Sequence, residues 1–338
     1  MNAPEHPKSD FKAALIAGDA EWKAVAAKAP ADALTHQEFS EIDLSNRDLA
    51  ELDLHKSDFF RCVLVATNLK KSNLSEADLT HAKMARAALY KADLRGTILQ
   101  EADLNGADLS AADCRGADFR GANLARVKFE GADLRGCDFS QADLTGATLT
   151  GANIEGAKFH FAQLSDANVM HVHYGTPRDM TGLYYGVRGL DGVYGNALFV
   201  RDARDQDYID TLYQAILDKP EGFVRSLDLM LFRAWGLIDH GRSLLKVAAY
   251  AFVLAMLYGF LYLADMVYGF GIMDYSNSAQ TWFTPFYYSV VTYTTLGFGD
   301  VTADSLLGEI LVISEVIVGY FTLGLLLAIL ANTIARRS

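Results

Sequence analysis

Nine residues near the end of the chain, Thr292-Tyr293-Thr294-Thr295-Leu296-Gly297-Phe298-Gly299-Asp300, offer a chemistry that needs no reactive side chain. A dehydrated cation must receive rings of oxygen atoms in place of its water, and backbone carbonyls supply them when four copies of an extended loop line one axis. Gly297 and Gly299 permit such a backbone, because glycine reaches the positive-φ conformations that turn successive carbonyls inward. Thr295 can add a ring of hydroxyls at the inner end, and Asp300 marks the outer mouth. This is a lining for an ion path, not a catalytic centre.

Other candidate chemistry is weaker, and no enzyme activity is expected. Gly297-Phe298-Gly299 lacks the third glycine and the strand-to-helix setting of a dinucleotide site. His171 and His173 sit in a polar stretch with no Cys or carboxylate at ligand spacing, so they read as solvated side chains and no metal is expected beyond the permeant ion. Cys62, Cys114 and Cys137 fall on inward positions of the repeat described below and read as reduced core residues. No cofactor is implied.

The elements that would hold the loop follow from hydropathy. Val247 to Ala264 is 18 residues without a charge and Val316 to Ala335 is 20, each long enough to cross a bilayer. Between them, residues 265–304 contain no Lys or Arg but include Asp265, Asp274, Asp300 and Asp304, whereas Arg242, Lys246, Arg336 and Arg337 border the outer ends. By the positive-inside rule both termini are cytoplasmic. The opening residues show no apolar signal-peptide core, so the first 240 or so should stay in the cytosol. Thr284-Pro285 reads as the N-cap and first turn of a short helix running to Tyr293, whose negative C-terminal end would face the cation path.

The middle of the chain has a different order. From Phe39 to Val169 every fifth residue is apolar, 27 positions of which 17 are Leu and six are Phe. Two residues before each the chain prefers Ala, and between them Asp or Asn. Five residues rotate about 500° on a helix, and an odd period alternates faces on a flat strand, so the chain must turn after each pentad. Stacked coils with small Ala beside large Leu inside satisfy both demands.

Ala-Asp-Leu-Asn-Gly at 102–106 resembles the pentapeptide-repeat family. The resemblance implies a right-handed quadrilateral β-helix of four pentads per coil, just under seven coils, ~32 Å long at the strand spacing. Some members are acidic rods that mimic duplex DNA. Here residues 39–170 hold 15 Lys and Arg against 20 Asp and Glu, too balanced for that role, and the net charge of −12 argues against nucleic acid as a partner. A scaffolding or regulatory solenoid, with a cytosolic protein partner as one use, is the expectation.

Residues 244–337 resemble the two-span pore module of bacterial potassium channels. The resemblance implies an all-α transmembrane module with a re-entrant loop, a homotetramer in the inner membrane, and K+ rings from Thr295, Leu296, Gly297 and Phe298, followed by Gly299 and Asp300. Phe298 replaces the usual Tyr, and Val291 stands where one member has a carboxylate partner for the mouth Asp. Glu315 and Gly319 stand at the spacing of a Leu-Glu-x-x-x-Gly pattern common in such channels: Glu315 should face protein or water behind the filter, and Gly319, with Gly324 as rival, is a hinge or a close-packing site. Leu323, Leu327 and Ala331 would line the inner cavity.

The expected organisation is a helical cap over 1–38 (helices within 9–29), the solenoid over 39–170, a linker over 171–242, and the pore module over 243–338. In the linker, 194–200 reads as a strand, Asp205 to Leu217 as a helix, and Arg225 to Arg242 as an amphipathic segment at the bilayer surface with Trp235 at the interface. No voltage-sensor helix is visible, and no regulatory domain follows the second span before Ser338. A weakly selective cation channel and a membrane-anchored interaction scaffold are the alternatives to a selective pore.

Overall fold

The computed structural model describes residues 35–176, 182–237, 243–294 and 301–335, with side chains to Ala331 in the last stretch. The cap helices expected within 9–29 lie outside the described residues. Contacts divide the chain into two compact units, Met1–Ala215 and Ile216–Ser338.

In the first unit, parallel one-residue bridges recur every 20 residues, from Glu38↔Asp58 through Asn153↔His173. Four pentads therefore make one coil of a quadrilateral β-helix. Coils are tied through their backbones: Phe39 N donates to Asp58 O at 2.7 Å, and Asp58 N donates back to Gln37 O at 2.8 Å. Each corner is a four-residue turn, as where Cys62 N donates to Phe59 O at 2.9 Å and the third residue, Arg61, has φ 54°. Positive φ at that position is the type II arrangement that glycine enters freely. Glycine fills it at Gly96, Gly106 and Gly116, but Glu41 and Lys71 occupy it in earlier coils. The acidic residue before each inward position now has a reason as well. Its carboxylate accepts the amide two residues on, at 2.9 Å for Ser45 N to Asp43 Oδ1 and for Thr80 N to Asp78 Oδ1, so it shapes the corner from the side chain.

The interior is a column of Ala and Leu, with an aromatic stack along one side. Phe119, Phe139, Phe159 and Tyr184 follow one another at centroid distances of 5.0, 5.2 and 5.3 Å. All three cysteines are buried and free. Burial pushes the Cys62 thiol up to about 12, and the Cys137 thiol donates to the Cys114 carbonyl at 2.9 Å.

The solenoid does not stop at residue 170. Gln163 pairs with Arg188 and Asn168 with Tyr194, and Phe159 N donates to Leu183 O at 2.7 Å, so a further coil is stacked on the regular ones. Its partners are 25 (188 − 163) and 26 (194 − 168) residues apart instead of 20, which hides the coil from a search for a strict period of five. The strand expected over 194–200 is absent. Tyr194 makes a single bridge, and helix α1 (Ala197–Leu217) begins at once because the Asn196 side chain accepts from Phe199 N at 3.1 Å. The helix thus starts eight residues before the expected Asp205. It presents Phe199 and Ala203 to the end of the core, with Phe199 against Tyr184 and Tyr174. His171 occupies a corner at φ 54° and His173 pairs with Asn153; among the described residues no cluster could hold a metal ion.

The second unit opens with α2 (Phe223–Leu237), where the amphipathic segment was expected. None of its residues is buried, and Phe223, Val224, Met230 and Leu231 are all exposed. Residues 238–242 lie outside the described residues.

Two long helices follow, α3 (Leu244–Tyr268) and, after a short helix, α5 (Leu306–Ala335). Both exceed the charge-free runs from which they were expected. Ser243 caps α3 by accepting from Lys246 N, and Gly269, at φ 66°, ends it with its amide on Asp265 O. The run that stopped at Ala264 ignored a buried acid, Asp265. The second run began only after Glu315, which is also buried, whereas the helix starts ten residues earlier beside Ser305. Within one chain most of both surfaces is bare: Leu245, Phe252, Ile317 and Phe321 are each more than half exposed. Both helices are apolar enough, and long enough, to cross a membrane.

Candidate functional site

The expected ion-binding residues Thr295, Leu296, Gly297, Phe298 and Gly299, and Asp300 at the mouth, lie outside the described residues. What the structure places is the frame on either side of them, Thr294 before and Val301 after.

The upstream side is helix α4 (Thr284–Tyr293), eight of whose ten residues are buried between α3 and α5. Thr284 is not its N-cap as expected. It is the first helical residue, with Phe283 before it and Pro285 in the first turn, and its hydroxyl turns back to accept from Thr281 N at 3.1 Å and to bond the Ala279 carbonyl. Gly259 on α3 lets α4 approach, since a Cβ there would strike the Phe286 ring. At the other end Thr294 N donates to Val290 O, and the Tyr293 hydroxyl accepts from Thr322 Oγ1 of α5 at 3.0 Å. Val291 is buried.

Glu315 is fully buried on α5, where it meets both other helices. Its carboxyl bonds Ser289 Oγ of α4 and, at 2.7 Å, the Tyr262 hydroxyl of α3. Gly319, one turn on, faces Tyr293. A side chain there would overlap the Tyr293 carbonyl, whereas a Cβ at Gly324 would meet nothing. Helix α5 runs unbroken through both glycines. Gly319 is thus a close-packing residue in this conformation. Leu323, Leu327 and Ala331 are exposed in the single chain; of these, Leu323 joins Phe252, Val290, Tyr293 and Thr322 in lining a cavity of about 320 Å³.

The downstream side depends on a residue that in sequence looks like one more acid between the spans. Asp265, near the end of α3, is buried and accepts from Ile272 N and Met273 N, both at 2.9 Å. It thereby sets strand β1 (Met273–Asp274), which pairs antiparallel with β2 (Thr302–Ala303) directly after Val301. Gly308 lets α5 start against the Ile272 carbonyl, and the Tyr275 hydroxyl donates to Tyr262 O at 2.9 Å. The signal for Asp265 was an acid within a span's reach having no basic partner. Electrostatically the frame favours a cation, because residues 247–335 contain no Lys, Arg or His.

Residues 62–100, 102–141 and 132–169 match the family described as Pentapeptide repeats (8 copies), and residues 249–336 match the family described as Ion channel. The chain joins a pentapeptide-repeat domain to an ion-channel module. No curated protein matches it. Among solved structures, the pentapeptide-repeat domain is similar to HetL of the cyanobacterium Nostoc sp. strain PCC 7120, at 26% identity over 48% of this chain and 90% of that one, with a TM-score of 0.25. QnrB1, a plasmid-mediated fluoroquinolone resistance protein, matches at 19% identity over 51% and 87%, with a TM-score of 0.38. A pentapeptide-repeat protein of the Arabidopsis thaliana thylakoid lumen matches at 22% identity over 52% and 92%, with a TM-score of 0.22. The ladder of 20-residue bridges, independent of these overlaps, is what establishes the fold of the repeat domain. The ion-channel match covers the first apolar helix from residue 249 onward, the second to its end, and the whole frame around residues 295–300.

Proposed function

We propose that the protein is a homotetrameric potassium-selective channel of a bacterial inner membrane, passing K+ passively through carbonyl rings of Thr295, Leu296, Gly297 and Phe298. The observation that carries this reading is the run Thr295-Leu296-Gly297-Phe298-Gly299-Asp300 following helix α4 inside an ion-channel module. A membrane anchor would have no use for Thr295, Gly297 and Gly299 together. One chain supplies one side of an ion path, so four are required to close the rings. The cation-free segment 247–335 supports cation over anion passage. Both termini face the cytoplasm, and the solenoid scaffolds or regulates the pore. No enzyme activity and no cofactor are part of this reading; the permeant ion is cargo.

Reconstitution into liposomes tests it. Potassium efflux that barium blocks and that sodium cannot replace is the expected result. Equal sodium and potassium flux would leave the weakly selective cation channel, a reading that Phe298 in place of Tyr leaves open. No flux at all would leave the anchored scaffold.

A further inference from the structure

The buried junction of α3, α4 and α5 contains more hydrogen-bond acceptors than an ionised Glu315 allows. Ser289 Oγ lies 2.6 Å from the Ala255 carbonyl of α3 and also bonds Glu315 Oε1. A serine hydroxyl has one proton, and a main-chain carbonyl can only accept. Once Ser289 donates to Ala255 O, its oxygen has lone pairs alone to offer Glu315. The Tyr262 hydroxyl donates to the other carboxyl oxygen, Oε2, at 2.7 Å. The Oε1 to Oγ contact is then a hydrogen bond only if a proton sits on the carboxyl.

The surroundings agree. Glu315 and Ser289 are wholly buried and Tyr262 is nearly so, all within one chain. Across 247–335 there is no Lys, Arg or His, so the stretches of α3, α4 and α5 that meet at this junction offer no counter-charge. A buried carboxylate without one takes up a proton in preference to staying charged.

We propose that Glu315 is a neutral carboxylic acid and the first donor of a relay, Glu315 Oε1–H to Ser289 Oγ–H to Ala255 O, that positions the α4 helix between α3 and α5. Glu315 is in this account a positioning residue, acting on the filter through α4. The relay locks the three helices at one level without placing a charge beside the ion path, where an anion would hold a cation in place. It does not depend on potassium selectivity.

Infrared spectroscopy of the full-length protein in lipid tests the protonation directly. The wild type should show the carbonyl stretch of a protonated carboxylic acid at neutral pH, shifted by carbon-isotope labelling of glutamate carboxyls and lost in E315Q. A spectrum with no such band overturns the proposal, whatever the protein conducts. Glutamine imitates the neutral acid, with its NH2 donating to Ser289 and its oxygen accepting from Tyr262. E315Q should therefore keep wild-type flux and oligomer yield, while E315A and S289A lose at least tenfold in one or the other, and S289T recovers. If E315Q falls as far as E315A, or if S289A equals the wild type, the relay is wrong. Should E315Q fail to assemble, the isotope shift in the wild type still decides.

Discussion

Gly319 of α5 passes so close to Tyr293 at the end of α4 that the Tyr293 carbonyl occupies the place where a side chain would begin. Backbone meets backbone there, immediately before the residues expected to bind the ion. Gly324, five residues on, has open space around it.

The two glycines should therefore respond differently to the same change. Gly319→Ala forces α4 and α5 apart and should cost about 1–3 kcal/mol, as overpacking of a tight contact does. Gly324→Ala should be neutral or stabilising by up to ~1 kcal/mol through helix propensity. Thermal melting of the purified assembly measures both; a severe loss at Gly324 with none at Gly319 would contradict the packing account.

Asp265 holds two backbone amides at the turn into β1. Asp265→Asn turns an NH2 toward one of them, and Asp265→Ala leaves both unpaired, so each should cost about 1–3 kcal/mol, with Ala the more severe. Hydrogen exchange at Ile272 and Met273 should speed up in both variants. Unchanged protection would mean the turn is held by the β1–β2 pairing alone.

Conduction should be lost in Gly297→Ala with the oligomer intact, because a Cβ opposes the backbone that turns carbonyls inward. Mass measurement in detergent should give four chains for wild type and variant. A conducting monomer or dimer would sink the tetrameric reading.

The extra coil changes where the repeat domain can be cut. Removal of residues 1–170 strips the partners of Leu183, Arg188 and Tyr194 and bares Tyr184 and Phe199, both 1% exposed in the intact chain. That truncation should aggregate or express poorly, while removal through Leu217 should yield a pore with unchanged ion selectivity. Comparing the yields and reversal potentials of the two products checks this; equal behaviour would show that the last coil stands without the solenoid.

Two acids of α1 clamp the same coil from its end. Asp210 accepts from Gly182 N, Tyr184 N and Gln206, and Asp207 accepts from Gly186 N at 2.7 Å. Burial holds both carboxyls above the ordinary Asp value, against the pull of those hydrogen bonds. The folded clamp thus binds more protons than the unfolded chain, so its stability is greatest below the ordinary Asp pKa and falls as pH rises through the raised one. Protection factors at Gly182, Tyr184 and Gly186 should decline from acid toward neutral pH, and Asp210→Asn should flatten the trend.

The amino-acid sequence alone determined the solenoid, because its cause is periodic and local: the same five-residue corner repeated, with Ala and Leu inward and an acid shaping each turn, leaves no other way to bury the apolar set. The two apolar helices were legible for a similar reason, since length and hydropathy are sums along the chain. Their ends were not, because Asp265 and Glu315 look like charges in a row of letters and only their partners at Ile272, Met273, Ser289 and Tyr262 show that they belong inside. The role of Gly319 as a packing residue and the coil at 182–194 were likewise decided by tertiary structure alone. Each is a contact between residues distant in sequence, whose energy depends on where two backbones meet in space, and no local pattern of residue types encodes that.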